Sequence, residues 1–475
     1  MKEHLVVIGN GMAGARTVEE IVRRAPDKFR ITMFGDEPRG NYNRILLSDV
    51  LNGKQDADDI FLHPLEWYRT RGITLHAGVR ADRIDRERRE VVGGNGLVET
   101  YDRLIIATGS RPLVPRVDGL LMEDGARKPG VFVMRTLDDC AAIAGYAVKC
   151  RKAAVVGGGL LGLEAARGLM KYGAKVSVIH RNRVLMSQQL DDASGAMLRA
   201  QMESLGVDVL LEKNTAKIEG EDRVTGLRFD DGEYLDCDMV VFACGIVPNV
   251  EVGRDCGLET ERGILVDDQM RSQSDENIYV VGECAQHRGV TYGLVAPLWE
   301  QGKVLADCLT GKHASYFGSK QVAKLKVMGV ELASMGEVNP RGDDEEIVYR
   351  EARRGIYKKL IVRDGKLAGA ILLGDVTKAA ALTQAFDRQS ALPDDRAALL
   401  FDIGKNKSNA MLEMPDEAPV CNCNGVTKGT IRLVASEGEC TPEAVMKCTR
   451  AGSGCGSCKT LVREIVDWVR ESKAA

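Results

Sequence analysis

The 475-residue chain lacks long apolar runs. None approaches the roughly 18 consecutive apolar residues that a membrane span needs. The first apolar stretch, residues 5–8, is interrupted at once by glycines. It reads as a strand and not as a signal peptide, so a cytoplasmic location is expected. There is no basic excess: 65 Lys and Arg stand against 69 Asp and Glu, a net charge of −4. Nucleic acid is therefore not expected as the main partner. No cysteine precedes Cys140, and no C-x-x-C or C-x₄-C occurs outside the last 55 residues. A redox-active cysteine pair in the N-terminal part is thereby excluded. The six histidines, among them His63, His76, His180, His287 and His313, show no ligand spacing and read as packed or exposed side chains. No repeat array or low-complexity tract is present. With 44% hydrophobic and 28% charged residues the chain is of ordinary globular composition, long enough for about three domains.

What the chain has in plenty is glycine, 51 residues, well above the roughly 7% norm. Residues 2–8 read as a strand, followed by Gly9-Asn10-Gly11-Met12-Ala13-Gly14, a helix to about Arg24, and a second strand over 30–34 ending at Gly35-Asp36-Glu37. This is strand, G-x-G-x-x-G, helix, strand, acid. Gly9 makes the tight turn. Gly11 lets a pyrophosphate approach the helix start. Gly14 permits close helix–strand packing. Asp36, with Glu37 as its substitute, bonds a ribose hydroxyl. The pattern returns at Ala153: a strand, Gly157-Gly158-Gly159-Leu160-Leu161-Gly162, a helix to Tyr172 and a strand over 175–179. Two fingerprints in correct context indicate two dinucleotide-binding modules. After the second of these strands stands His180-Arg181-Asn182-Arg183. An NAD site ordinarily carries an acid there, whereas Arg181 suits a 2′-phosphate, which favours NADPH without deciding the choice. Three further buried strands end in turns suited to a ligand crevice, at Ala107-Thr108-Gly109, at Ala243-Cys244-Gly245 and at Gly282-Glu283.

From about residue 320 the pattern changes to short strands over 325–330, 347–350, 357–362 and 367–373, with Asp364-Gly365 as a hairpin turn. A Lys-, Asn-, Asp- and Pro-rich stretch reads as a linker. The tail then concentrates six cysteines. Cys421-x-Cys423 and Cys455-x-x-Cys458 are two close pairs that can hold a metal or a cluster. Helix starts expected at Val426 and Gly456 would offset thiolate charge with their dipoles. Cys440 and Cys448 fall outside the pattern and read as small buried hydrophobes. Structural zinc is the alternative for the four, although zinc sites prefer C-x₂₋₄-C pairs.

Taken together, the two fingerprints and the strand ends at Ala107-Thr108-Gly109 and Gly282-Glu283 resemble the two-dinucleotide-binding-domain flavoprotein reductases. Residues 41–48 (NYNRILLS) and 353–360 (RRGIYKKL) resemble the N-terminal half of bacterial NAD(P)H nitrite reductase large subunits, and equally the electron-transfer subunits of assimilatory nitrate reductases. The tail resembles the bacterioferritin-associated-ferredoxin-like [2Fe–2S] domain, whose pattern the C-x-C pair matches. The resemblance implies FAD at Gly9, Gly11, Gly14, Asp36, Ala107, Thr108, Gly109, Gly282 and Glu283, with Arg44 and Ser48 near the flavin or its pyrophosphate. Relatives often carry Asp where Glu283 stands, and a surface ion pair is the alternative for Arg44. NADH or NADPH is implied at Gly157, Gly159, Gly162 and Arg181, with Glu164 at a family position near the nicotinamide. The four tail cysteines would ligate the cluster. Disulfide reductases and peroxide-type oxidases of this fold are disfavoured by the missing cysteines.

The expected fold is α/β: two Rossmann-like domains of the glutathione-reductase-like type, a small α+β domain and a small helical [2Fe–2S] domain. The expected boundaries are 1–119 and 245–315 for FAD, 120–244 for NAD(P)H, 320–404 for an α+β interface domain that suggests a homo-oligomer, 405–419 for the linker and 420–475 for the cluster. The expected function is an electron-transfer subunit. It would carry electrons from NAD(P)H through FAD and the cluster to the molybdenum-containing catalytic subunit of an assimilatory nitrate reductase. Nitrite reductase large subunits continue into a sirohaem domain, whereas these residues stop after the tail, which favours that reading. A separate sirohaem nitrite reductase, a ferredoxin or a rubredoxin is the alternative acceptor, and a non-catalytic module with a zinc-bound docking tail is the contrasting class.

Overall fold

The computed structural model describes residues 2–401, 414–421, 424–437, 441–452 and 458–474. Cys423, Cys440, Cys455 and most of the expected linker lie outside the described residues. The chain forms two compact units.

The first comprises Met1–Arg44, Gln55–Leu113 and Ile246–Ser319. Its centre is a five-stranded sheet in the order Ile278–Val280, Arg103–Ile106, Glu3–Ile8, Phe29–Gly35, Thr74–Ala77, parallel throughout. The apolar runs Leu5–Ile8 and Leu104–Ile106 are buried on both faces, as strands of a covered parallel sheet must be. Helix Met12–Arg24 and helix Val295–Leu309 pack together, with Gly302 placed so close to Thr17 that a side chain would not fit. A three-stranded antiparallel meander, Ala81–Asp85, Glu90–Gly93 and Val98–Thr100, completes the module.

The second unit comprises Ile45–Lys54, Val114–Gly245 and Lys320–Ala475. It repeats the architecture: a parallel sheet in the order Val131–Val133, Met239–Phe242, Lys152–Val156, Lys175–His180, Asp208–Leu211, and a meander of Thr215–Glu219, Gly226–Phe229 and Tyr234–Asp236. Beyond it a five-stranded antiparallel sheet runs Val322–Val327, Val330–Gly336, Lys366–Leu373, Ile356–Arg363, Glu345–Glu351 and carries helix Ala379–Arg388. The single strand expected over 325–330 is in fact the corner of a hairpin, because Met328 (φ 48°) and Gly329 (φ 98°) turn the chain. The Asp364-Gly365 turn is present, with both residues at positive φ as such a turn requires.

This unit is tied internally by a buried polar knot. Asp191 caps helix Asp192–Ser204 through a reciprocal box with Ser194. It also accepts hydrogen bonds from Tyr357 Oη (2.7 Å) and Lys359 Nζ (2.9 Å) of the antiparallel sheet. The tail pairs Pro419–Cys421 with Val426–Thr427 and adds helices Lys428–Ser436, Pro442–Thr449 and Lys459–Ala474 around Ile431, Val445, Val462 and Ile465. The helix expected from Val426 starts two residues later, because Val426 pairs as strand and Thr427 serves as the N-cap.

Candidate functional site: two nucleotide cradles and a thiol pair

Both fingerprints are built alike. In the first unit Gly9 N–H donates to Phe34 O (2.9 Å) and Ala107 N–H to Ile8 O (2.7 Å), so three strand ends converge on the glycine turn. Gly9 sits at φ 112°, and a methyl group there would collide with the Ala107 carbonyl. A methyl on Gly14 would strike Gly9 O. Gly11 differs: no atom lies within 4 Å of where its Cβ would be, and it caps helix Met12–Arg24 without a side-chain hydrogen bond. The helix thus begins at an open position bare of a side chain, and this fits an anionic pyrophosphate. In the second unit Gly157 (φ 130°) and Gly162 meet Ala243 O and Gly157 O in the same way. Gly159 caps helix Leu160–Met170 with nothing within 4 Å.

The rim of the first cradle is braced. Thr108 Oγ1 donates to Asn249 O (2.6 Å), Asn249 Nδ2 to Thr108 O (3.0 Å), and Asn249 N–H to Gly109 O (2.9 Å). Ser110 Oγ donates to the Glu283 carboxylate (2.7 Å). Gly282, at φ 96°, gives its N–H to Gln301 Oε1 (2.9 Å). Gln301 is fully buried, and its Nε2 has no hydrogen-bond partner within the protein. An orphaned buried donor beside the strand end is what a bound polar group would satisfy. Of the two acids after the second strand, Asp36 is exposed. Glu37 accepts from Tyr42 Oη (2.7 Å) and from Arg44 (2.5 Å), whose guanidinium also lies over the Tyr42 ring. Ser48 is buried in the short helix Leu47–Leu51, which belongs to the second unit.

In the second unit Glu164 is buried, and its Oε1 accepts the Met328 N–H (2.9 Å). Burial pushes its pKa up against that hydrogen bond. His180 Nδ1 accepts the Gly158 N–H (3.1 Å), and burial lowers the ring's pKa. Arg181 is exposed.

The thiols fall into two classes. Burial pushes up all seven between Cys140 and Cys308, for example Cys140 and Cys237 to about 12. They are inert, packed cysteines. Cys421 is the opposite. It is drawn down to about 6 by a hydrogen bond with Cys458 and, against burial, by the backbone N–H groups of Gly452 and Asn424. Two buried sulfurs set side by side in a nest of donors fit thiolate ligands. Cys448 is exposed, contrary to the buried position expected for it, on helix Pro442–Thr449.

Sequence comparison decides the family. Residues 3–302 match the family described as pyridine nucleotide-disulphide oxidoreductase. The chain belongs to this family. Residues 322–390 match the rubredoxin NAD⁺ reductase C-terminal domain, and residues 419–468 the BFD-like [2Fe–2S] binding domain. The NAD(P)H nitrite reductase of Bacillus subtilis (strain 168) is 42% identical, over 98% of this chain and 57% of that protein. The assimilatory nitrate reductase electron transfer subunit of the same strain is 41% identical, over 99% of this chain and 60% of that protein. The chain thus spans about three fifths of either relative. Both exceed it by similar margins, so the point at which the residues stop favours neither. Among solved structures, the ferredoxin reductase for the CYP199A2 system from Rhodopseudomonas palustris has a TM-score of 0.75 at 25% identity, covering 84% of this chain and 97% of that one. NADH:rubredoxin oxidoreductase from Clostridium acetobutylicum shares the fold, with a TM-score of 0.69 at 24% identity over 85% of this chain and 100% of that one. The chain thus joins a pyridine nucleotide-disulphide oxidoreductase region to a BFD-like [2Fe–2S] binding domain. No helix among the described residues is long and apolar enough to cross a membrane.

Two contributors had no sequence signal. Gln301 sits in an ordinary helical stretch, and its role follows only from its approach to Gly282. Asn249 likewise becomes a brace only through pairing of Ser110–Pro112 with Ile246–Pro248.

Proposed function

We propose that this protein draws electrons from NAD(P)H and delivers them singly, by way of FAD and a [2Fe–2S] cluster, to the catalytic subunit of an assimilatory nitrate reductase. The observation that carries it is the coexistence in one chain of two open glycine cradles and a tail in which two buried thiols, Cys421 and Cys458, lie within hydrogen-bond reach of each other. The relative named as a nitrate reductase electron transfer subunit supports the choice of acceptor.

The first cradle would hold FAD. Gly9 and Gly14 set the turn, the N–H groups beside Gly11 receive the pyrophosphate, Asp36 or Glu37 the ribose, and Thr108, Gly109, Gly282 and Glu283 the ribityl side. Arg44 holds Glu37 in place. Gly157, Gly159 and Gly162 would receive the nicotinamide nucleotide, with Glu164 near its reacting end. Met328 fixes the Glu164 carboxyl through its backbone. Cys421, Cys423, Cys455 and Cys458 would ligate the cluster. FAD, once bound, supplies the conversion of a two-electron hydride donor into single-electron transfers. The residues here bind, orient and exclude water, and no side-chain acid or base is required for hydride transfer.

The test is reconstitution of the full chain with a molybdenum-containing nitrate reductase catalytic subunit, NAD(P)H and nitrate. Nitrite formation that depends on both proteins is expected. No nitrite, with the flavin still reducible, would overturn the nitrate assignment. The match of residues 322–390 to a rubredoxin reductase domain favours a small carrier protein as the second reading. Faster turnover with a rubredoxin or ferredoxin than with the catalytic subunit would establish it.

A further inference from the structure

The chain carries its own reference for reading its nucleotide preference, because the two cradles superpose residue for residue in their hydrogen bonding. Gly9 N–H donates to Phe34 O, and Gly157 N–H to Ile179 O (2.8 Å). Ile8 pairs with Phe34, and Val156 with Ile179. Phe34 and Ile179 are therefore equivalent. The next three positions are Gly35-Asp36-Glu37 in the first cradle and His180-Arg181-Asn182 in the second. Both acids of the first have been replaced, one by a cation and one by a neutral amide.

The change at Gly35 is matched by a reciprocal one. Asn10 faces Gly35 in the first cradle, whereas Gly158 faces His180 in the second. A Cβ on Gly158 would come within 2.7 Å of the His180 ring. The imidazole thus fills the space an Asn side chain takes in the other module. With Nδ1 accepting from Gly158 N–H, the neutral ring carries its proton on Nε2. That atom is buried from solvent. Arg183 is paired with Asp192 (2.7 Å), and Lys213 with Asp231 and Glu233. Arg181 is exposed, with no hydrogen bond or ion pair among the described residues. The acid brought beside this turn by backbone bonding is Glu212, at the end of the next strand.

Resting on the reading of this cradle as the nicotinamide nucleotide site, we propose that it is built for a 2′-phosphorylated nucleotide, NADPH, with Arg181 as the specificity-determining cation. A carboxylate at these positions would bond a free 2′-hydroxyl and repel a phosphate. The guanidinium does the reverse.

Two measurements on the FAD-loaded full chain test this. The first is the anaerobic reduction of bound flavin by NADPH and by NADH. The second is calorimetric binding of 2′,5′-ADP against 5′-AMP, which needs no turnover. Preference for the 2′-phosphate form by about tenfold or more is expected in both. It should collapse in Arg181→Ala and shrink with ionic strength, because the cation is exposed. Arg183→Ala, which removes a cation already paired, should shift the ratio less than about twofold. Equal or better use of NADH, with the ratio insensitive to Arg181, overturns the proposal. A further loss of NADH binding in Glu212→Gln would assign the ribose to that acid instead. If neither nucleotide binds or reduces the flavin, it is the underlying assignment of the cradle that fails.

Discussion

Replacing Gly11 and Gly9 by alanine separates the fold from the ligand in one experiment. Gly11 has an extended backbone, φ −79° and ψ −170°, which any residue adopts, and no atom within 4 Å of the new Cβ. Gly11→Ala should therefore change the stability of the ligand-free fold by less than about 1 kcal/mol, because a stiffer unfolded chain offsets the poorer alanine N-cap. The methyl group would occupy the space through which a pyrophosphate reaches the N–H groups of helix Met12–Arg24. Losing one or two charge-assisted hydrogen bonds costs about 3 kcal/mol, or roughly a hundredfold in FAD affinity. Gly9→Ala is the opposite case. Its methyl meets the Ala107 carbonyl, and φ 112° is strained for alanine, so the fold itself should lose about 2–4 kcal/mol. The assay is thermal unfolding of the apoprotein together with fluorescence titration by FAD. Wild-type FAD affinity in Gly11→Ala would refute the placing of the pyrophosphate there. An apoprotein destabilised by more than about 2 kcal/mol would refute the open space.

Three other perturbations follow from the same geometry. Glu20 is buried under Arg16, Arg23 and Arg24, whose hydrogen bonds and charge override burial and lower its pKa to about 2. Because the folded value lies below the ordinary 4.5, its contribution, on the order of 3 kcal/mol, is present above about pH 4.5 and fades as pH falls toward 2. Glu20→Gln should thus lower the melting temperature strongly at pH 7 and hardly at pH 2.5, and a constant difference would contradict this. Gln301→Leu should cost about 1–3 kcal/mol by leaving the Gly282 N–H buried without an acceptor, and should weaken FAD retention on dilution; unchanged retention would show that the amide braces nothing the flavin uses. Cys421→Ser or Cys458→Ser should abolish the cluster's visible absorbance and its reduced-state EPR signal while flavin absorbance stays within about a tenth. Retention of the cluster in both variants would remove them from the ligand set.

Much of this could be read from residue order because the features are short-range. A glycine turn between a strand and a helix leaves few alternatives once Gly9, Gly11 and Gly14 hold fixed offsets, and Asp364-Gly365 marks a tight hairpin by local chemistry alone. The hairpin at Met328 was hidden because a methionine at φ 48° gives no turn signal inside an apolar run. Gln301 and Asn249 were invisible for another reason: each acts across a distance in sequence that only tertiary packing closes. The exchange of Asn10 and Gly35 for Gly158 and His180 is a volume swap between two positions, and neither residue reveals it alone. The Cys421 thiol is a mixed case. Its spacing from the other tail cysteines is legible, but of the groups that lower its pKa only Asn424 is local, whereas Cys458 and Gly452 become neighbours only in the folded tail.

The central claim is that electrons pass from nicotinamide through flavin to the tail. It is tested most directly by an anaerobic titration of the full chain with NADPH, followed by visible absorbance and by EPR of frozen samples. The account predicts that flavin and cluster bands bleach together and that a [2Fe–2S] signal grows in step with them. Bleaching of the flavin alone, with no EPR signal at excess reductant, would contradict it and place the tail outside the electron path.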